Sequence, residues 1–159
     1  VNKMILDVGC GSSPKGHVNI DLFVEETPHR KKGIINSKLI PNFIKAHAQY
    51  LPIRDKSFDT VYSHHLIEHL YNPTKAILEM LRVTKNEVII IIPHRYSRER
   101  GFKYKQCNMH KNFFSAVTTR KWLKSLNLIF EIEIIYNYIP HKFIPIIKIP
   151  NEIKIRICK

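Results

Sequence analysis

The sequence predicts an α/β fold: a mostly parallel sheet finished by an antiparallel C-terminal strand. Three observations carry this. The stretch "EVIIIIP" at 87–93 is a continuous β-branched run, as in strands buried on both faces of a parallel sheet. Short apolar stretches alternate along the chain with turns and helical patterns, the order that right-handed crossovers produce. Residues 128–138 and 153–157 instead alternate apolar and polar side chains, the pattern of antiparallel strands at the end of the sheet.

The elements follow in order. Residues 4–8, "MILDV", read as a buried strand, and "GCGSSPKG" after them is a glycine and proline turn. "HVNID" at 17–21 is a second short strand. Residues 22–42 carry the breakers Pro28, Gly33 and Pro41 and a basic knot, "HRKK" at 29–32, and read as a surface excursion. Strands are expected over 43–48 and 58–63. "NPTKAILEMLRVTK" carries a helix with Pro73 in its first turn, where a missing N–H is harmless. Ile77, Leu78, Leu81 and Arg82 stack at helical spacing, which turns Leu78 and Leu81 to the core. A second helix is expected over 118–126, with Thr118 or Thr119 as its N-cap. The two last strands join across the proline-bearing stretch 140–150. No repeat or low-complexity linker interrupts residues 1–159, which read as one domain.

Composition bounds the function classes. With 159 residues, 44% of them hydrophobic and 25% charged, the chain is an ordinary globular one that needs no staples. Cys10, Cys107 and Cys158 are odd in number and far apart, which argues against a disulfide framework or a cysteine zinc site. A reducing, cytoplasmic location is therefore expected. The longest purely apolar run, 88–92, is far too short to span a bilayer, and no signal segment is expected, since the first residues read as a core strand. The net charge of +13 is the one extreme value. It favours polyanions such as RNA, DNA or an anionic membrane, and a merely solvated basic surface gives the same count.

Chemistry concentrates after the first strand. Asp7-Val8-Gly9-Cys10-Gly11 puts an acid and two glycines at a strand end, where glycines let a ligand approach the backbone. Asp21 ends the next strand, where a carboxylate can accept both hydroxyls of a ribose. A phosphate cradle fits less well, for neither G-K-[ST] nor G-x-G-x-x-G before a long helix occurs.

"LDVGCG", "NID", "AQYLPIRDKSFDTVYSHHLIEHL", "NPTKAILEMLRVTK" and "VIIIIP" follow one another at suitable spacing. Together these blocks resemble class I S-adenosylmethionine-dependent methyltransferases, in particular the small type with an "LPF-x-D-x-SFD" hallmark. The resemblance spans about residues 4–126 and implies a Rossmann-like methyltransferase sheet. It implies S-adenosylmethionine as cofactor, with Asp7, Gly9 and Gly11 at its methionine end, Asp21 on the ribose, and Ala48 and Gln49 beside the adenine. Ser63 and His64, at the mouth of the fourth strand, would face the sulfonium and the substrate. His47 stands where the family commonly has an aspartate, and "KNE" replaces a usual glycine pair before the fifth strand. Only Ser12 to Gly16 separate the glycine loop from the second strand, so the first helix should be reduced to a turn.

The expected activity is methyl transfer to an unidentified acceptor, with RNA or another anionic substrate among the candidates. His64 and His65 are the nearest general bases, followed by His94, Tyr96 and His110. The loop 95–117 mixes Arg and Lys with Tyr and Phe, which suits phosphates and stacked bases. Two other classes stand beside this reading. One is a non-catalytic basic module that binds nucleic acid on the same fold. The other is a zinc hydrolase, because His65-Leu66-Ile67-Glu68-His69 matches the H-x-x-E-H signature. That signature needs a third ligand and an extended helix, and Pro73 follows His69 by only four positions. Glu79 and Glu99 are the third ligands considered, and no metal is assigned.

Overall fold

The computed structural model describes residues 3–23, 36–97, 110–139 and 147–159. The basic knot at 29–32, Glu99, Cys107, most of the 95–117 loop and most of the 140–150 connection lie outside the described residues. Seven strands form one sheet: β1 (Ile5–Val8), β2 (Val18–Asp21), β3 (Phe43–Lys45), β4 (Phe58–His64), β5 (Thr84–Pro93), β6 (Ile129–Ile139) and β7 (Ile147–Cys158). Two helices accompany them, α1 (Pro73–Val83) and α2 (Ala116–Ser125).

The sheet order is β3-β2-β1-β4-β5-β7-β6. Strands β1 to β5 pair in parallel, and β7 runs antiparallel to both of its neighbours. This is the Rossmann-like α/β sheet with its antiparallel C-terminal strand. The last strand is inserted between β5 and β6 because its apolar residues need company on both sides. Ile153, Ile155 and Ile157 are fully buried and stand opposite Ile92, Ile90 and Val88 on β5 and Ile134, Ile132 and Phe130 on β6. Among the described residues no helix is long and apolar enough to cross a membrane.

Several boundaries differ from the sequence reading. β3 stops at Lys45 rather than Ala48. β5 starts at Thr84, so "KNE" lies inside the strand and α1 runs into it without a loop. Thr84 makes this abrupt entry workable: its hydroxyl donates to the carbonyls of Asp59 at 3.2 Å and Glu87 at 3.1 Å. The buried face of α1 is Ala76, Ile77, Met80 and Val83, while Leu81 packs at its margin and Leu78 is 51% exposed. Leu78 lies one helical step of about 100° beyond Ile77, which carries it off the stripe that Ile77, Met80 and Val83 define. Helix α2 begins at Ala116, two residues before the expected start, because Ser115 and Thr118 cap it reciprocally. Ser115 Oγ accepts the Thr118 N–H at 3.2 Å and Thr118 Oγ1 accepts the Ser115 N–H at 2.9 Å. A hydrogen bond links the two helices: Trp122 Nε1 donates to Thr74 Oγ1 at 2.9 Å.

Between β1 and β2 there is a turn in place of the first helix. Its backbone bonds go to the strands instead. Gly9 and Cys10 N–H both donate to the Ile20 carbonyl, at 2.8 and 3.0 Å. Asn19, fully buried, accepts the Gly16 N–H at 3.0 Å and donates to the carbonyls of Gly16 and Pro41 at 3.1 and 2.7 Å. One amide thus does the cross-linking that a helix would otherwise provide.

Candidate active site

The carboxyl ends of β1, β2 and β4 surround a cavity of about 720 Å³. Small-molecule sites typically occupy about 300–1,000 Å³, and in open α/β sheets they lie at these strand ends. Gly9, Gly11, Asp21, Ala48, Gln49, His64 and His65 all line it, with Val8, Ile20 and Leu66 as apolar wall. Asp7 and Ser63 stand behind that wall. The Asp7 carboxylate accepts the Lys15 N–H at 2.9 Å, and the Ser63 hydroxyl donates to the Val8 carbonyl at 2.9 Å.

Each wall has a local cause. Gly9 and Gly11 hold φ of +79° and +56°, a region that penalises side chains by roughly 1–2 kcal/mol. A Cβ on Gly9 would also meet the Leu66 side chain at 3.0 Å, so this glycine lets the two loops close on one another. Asp21 is fixed by two backbone donors, Gly11 N–H to Oδ2 and Phe23 N–H to Oδ1, both at 2.9 Å. Gln49 is held by its amide, which donates to the Asn72 carbonyl at 2.6 Å.

On the β4 side, His65 sits in the left-handed region at φ +52°, with its N–H donated to the Ile91 carbonyl at 2.9 Å. That turn brings the His64 and His65 rings within 4.2 Å of each other, centroid to centroid. Glu152, from β7, faces both: its Oε1 lies 3.0 Å from His65 Nε2 and 3.7 Å from His64 Nε2. Burial, then the neighbouring His65, hold His64 below the ordinary histidine value, so it is neutral at pH 7. Glu152 escaped the sequence reading, as did Tyr71 and Lys111 on the cavity wall, and His69, read there only as a zinc ligand of the H-x-x-E-H signature, lines the cavity as well. Glu152 is 87 positions from His65, and no local pattern signals such a pair.

A scan against protein-family models matches residues 6–92, over half of the chain, to the model described as methyltransferase domain. The chain belongs to the methyltransferase domain family. Among curated relatives, the ubiquinone/menaquinone biosynthesis C-methyltransferase UbiE of Campylobacter jejuni is 29% identical over 113 residues, covering 61% of this chain and 46% of the relative. An uncharacterised methyltransferase of Schizosaccharomyces pombe is 33% identical over 99 residues, covering 51% and 36%. The chain thus spans about half or less of the length of these relatives. Two solved S-adenosylmethionine-dependent methyltransferases share the fold. The one from Archaeoglobus fulgidus has a TM-score of 0.70 at 18% identity, covering 99% of this chain and 86% of that one. The one from Thermotoga maritima has 0.69 at 19% identity, covering 100% and 83%.

For a methyltransferase domain the group to test against the cavity is S-adenosylmethionine, and the residues fit it. The cavity is large enough, its glycine wall admits close approach, and the Asp21 carboxylate, fixed by two backbone N–H groups, lines it at the end of β2. The H-x-x-E-H signature does not assemble as one zinc site. His65 turns to Glu152, whereas Glu68 and His69 lie on a separate 3-10 turn and group with His110. Glu79 is engaged elsewhere, by Arg82. Without a continuous helix, His65 and His69 share no face.

Asp7 carries the largest electrostatic tension behind the methyltransferase cavity. Burial pushes its carboxyl up to about 6, although the Lys15 N–H and ammonium work in the opposite direction. The folded state therefore holds the Asp7 proton more tightly than the unfolded state, whose value is 3.8. Stability from this group is full below the unfolded value and is lost as pH rises towards 6. Asp7→Asn, whose amide oxygen can still accept the Lys15 N–H, should remove the penalty. The variant should match wild type at pH 3.5 and exceed it by roughly 2–3 kcal/mol at pH 8, read from denaturant midpoints. Parallel pH curves for the two proteins would contradict this.

Proposed function

We propose that this chain binds S-adenosylmethionine in the cavity and transfers its methyl group to an acceptor beside His64 and His65. The observation that carries the reading is one cavity with the glycine turn and Asp21 on one wall and the histidine pair on the other. When bound, the cofactor supplies an electrophilic methyl on a sulfonium, which leaves as a neutral thioether. The protein supplies position and a water-poor site. Asp21 accepts ribose hydroxyls, Ala48 and Gln49 lie beside the base, and Gly9 and Gly11 let the methionine end approach the backbone. Asp7, ionised above pH 6, sets a negative potential behind that end, where a cationic ligand benefits. Ser63 acts from behind, locking the Val8 carbonyl.

His65 is the general base. A carboxylate only accepts, so Glu152 holds the proton on His65 Nε2 and leaves the lone pair on Nδ1. His64, neutral at pH 7, is the second proton acceptor at the same wall. The net charge of +13, with Lys111 on the cavity wall, supports an anionic acceptor such as RNA. We also propose that residues 1–159 act as one domain in the cytoplasm, a location that the odd number and wide spacing of the three cysteines support.

The test is transfer of label from methyl-labelled S-adenosylmethionine into RNA, lipid and small-molecule fractions. Wild type should label one fraction. Glu152→Gln should lower kcat by about 100-fold, the usual scale for general-base assistance, with cofactor affinity unchanged. If no fraction takes label although the cofactor binds, the transferase reading fails.

A further inference from the structure

The turn after β4 and the stretch before α2 meet at a second group of titratable side chains. Glu68 is fully buried, on the 3-10 turn Ile67–His69. The His69 ring lies beside it, with Nε2 3.8 Å from Glu68 Oε1. His110 packs edge-on against His69, with ring centroids 4.7 Å apart at 76°. One ligand atom from each of Glu68, His69 and His110 lies within 4.8 Å of the other two.

This group is held in place by bonds that do not involve its own ligand atoms. The Glu68 carbonyl accepts the N–H groups of Lys111 and Asn112, at 2.8 and 3.1 Å. The Asn112 amide donates to the Leu70 carbonyl at 2.7 Å. The chain segment bearing His110 is therefore pinned to the turn bearing Glu68 and His69, so the side chains are gathered by the backbone. Burying a carboxylate is costly unless a cation or strong donors accompany it. A metal ion held also by the two neighbouring imidazoles is one such cation.

We propose that Glu68, His69 and His110 form a binding site for a divalent transition-metal ion, of the Zn(II) or Co(II) type. Two imidazoles and a carboxylate are the ligand set of open zinc sites, which keep a position for an exogenous oxygen ligand. Ligands on a tetrahedral ion with bonds of about 2.1 Å stand roughly 3.4 Å apart, so closure by a few tenths of an ångström suffices for the Glu68–His69 pair. Of the three ligands His69 lines the large cavity, together with the neighbouring Lys111, which sets this group at the cavity's edge. Water or an acceptor oxygen is the ligand it would take. The site is distinct from His64, His65 and Glu152, the second group of possible ligand atoms among the described residues.

The experiment is titration of tag-free, chelator-treated protein with Co(II), read by visible d–d absorption and by bound metal per chain, and then competition with Zn(II). Wild type should bind one equivalent with a tetrahedral spectrum. His69→Ala and His110→Ala should each weaken binding by at least about tenfold, whereas His65→Ala should retain it. His110 lies outside the sheet and helices, so its variant carries the test if His69→Ala fails to fold, with circular dichroism as the check. Absence of stoichiometric metal on wild type overturns the proposal. So does binding that survives both substitutions, or loss on His65→Ala with retention in His110→Ala, which would move the metal to the Glu152 group. The readout needs no cofactor, so this proposal and the methyl-transfer reading can fail separately.

Discussion

Arg82→Ala should destabilise the protein by about 3 kcal/mol and loosen residues 51–55, which follow the cavity residues Ala48 and Gln49. The guanidinium holds two elements together. Its Nε and one terminal nitrogen bind both oxygens of Glu79, each at 2.8 Å, in a fork geometry. The terminal nitrogens also donate to the Leu51 and Ile53 carbonyls, at 3.0 and 2.7 Å, and to Asp55 at 2.7 Å. Glu79 Oε2 in turn accepts the Leu51 N–H at 2.9 Å. Helix α1 and residues 51–55 are thus one polar unit, which gives the "LPIRD" block a structural reason to accompany "EMLRV". Removing the guanidinium strands two part-buried loop carbonyls and the Glu79 carboxylate, which is why the loss exceeds that of an exposed ion pair. The Arg82 bonds hold the Glu79 carboxyl below its ordinary range, so this contribution is present at neutral pH and fades as pH falls through that range. Thermal midpoints of wild type and variant at pH 7 check the prediction. A loss under about 1 kcal/mol would show the network to be surface decoration.

Gly16→Ala should have an effect of similar size, about 3 kcal/mol, by overpacking alone. A Cβ there would lie 2.4 Å from the Val18 carbonyl oxygen and 2.7 Å from the Asp7 nitrogen. Both are backbone atoms of the strands flanking the glycine turn, so neither can swing aside. Gly11→Ala is the matched control: its Cβ meets nothing within 4 Å, and only its φ of +56° resists substitution, by roughly 1–2 kcal/mol. Gly16→Ala should therefore lose more stability in urea than Gly11→Ala. Equal losses would mean that the shortened turn yields more easily than its packing indicates.

Much of this architecture was legible because its strands are short, apolar and bounded by turn residues. The run at 87–93 declared a central strand, and the five residues from Ser12 to Gly16 declared the missing helix. What was not legible depends on distance. Nothing local in "NEIKIRIC" says that β7 enters between β5 and β6, since that position is decided by pairing with both. Leu78 was misplaced because a helical stripe can be drawn through several apolar sets, and only packing chooses one. The cavity residues fell near glycines and strand ends, where pattern and chemistry coincide. Glu152 and His110 reach their partners across the fold, and neither has a sequence neighbour that marks it. The H-x-x-E-H motif shows the converse: an intact pattern whose first histidine the backbone turns away from the other two.

The most direct test of the central claim is calorimetric titration with S-adenosylhomocysteine and S-adenosylmethionine, on wild type and on Asp21→Ala. Wild type should bind at micromolar concentration and the variant should lose at least tenfold, since one charged hydrogen-bonding group is worth about 1.5–3 kcal/mol. Failure of the wild-type protein to bind either compound would contradict the claim. The turn that replaces the first helix would then have closed the pocket to the cofactor, and a basic module that binds nucleic acid without catalysis would be the better description.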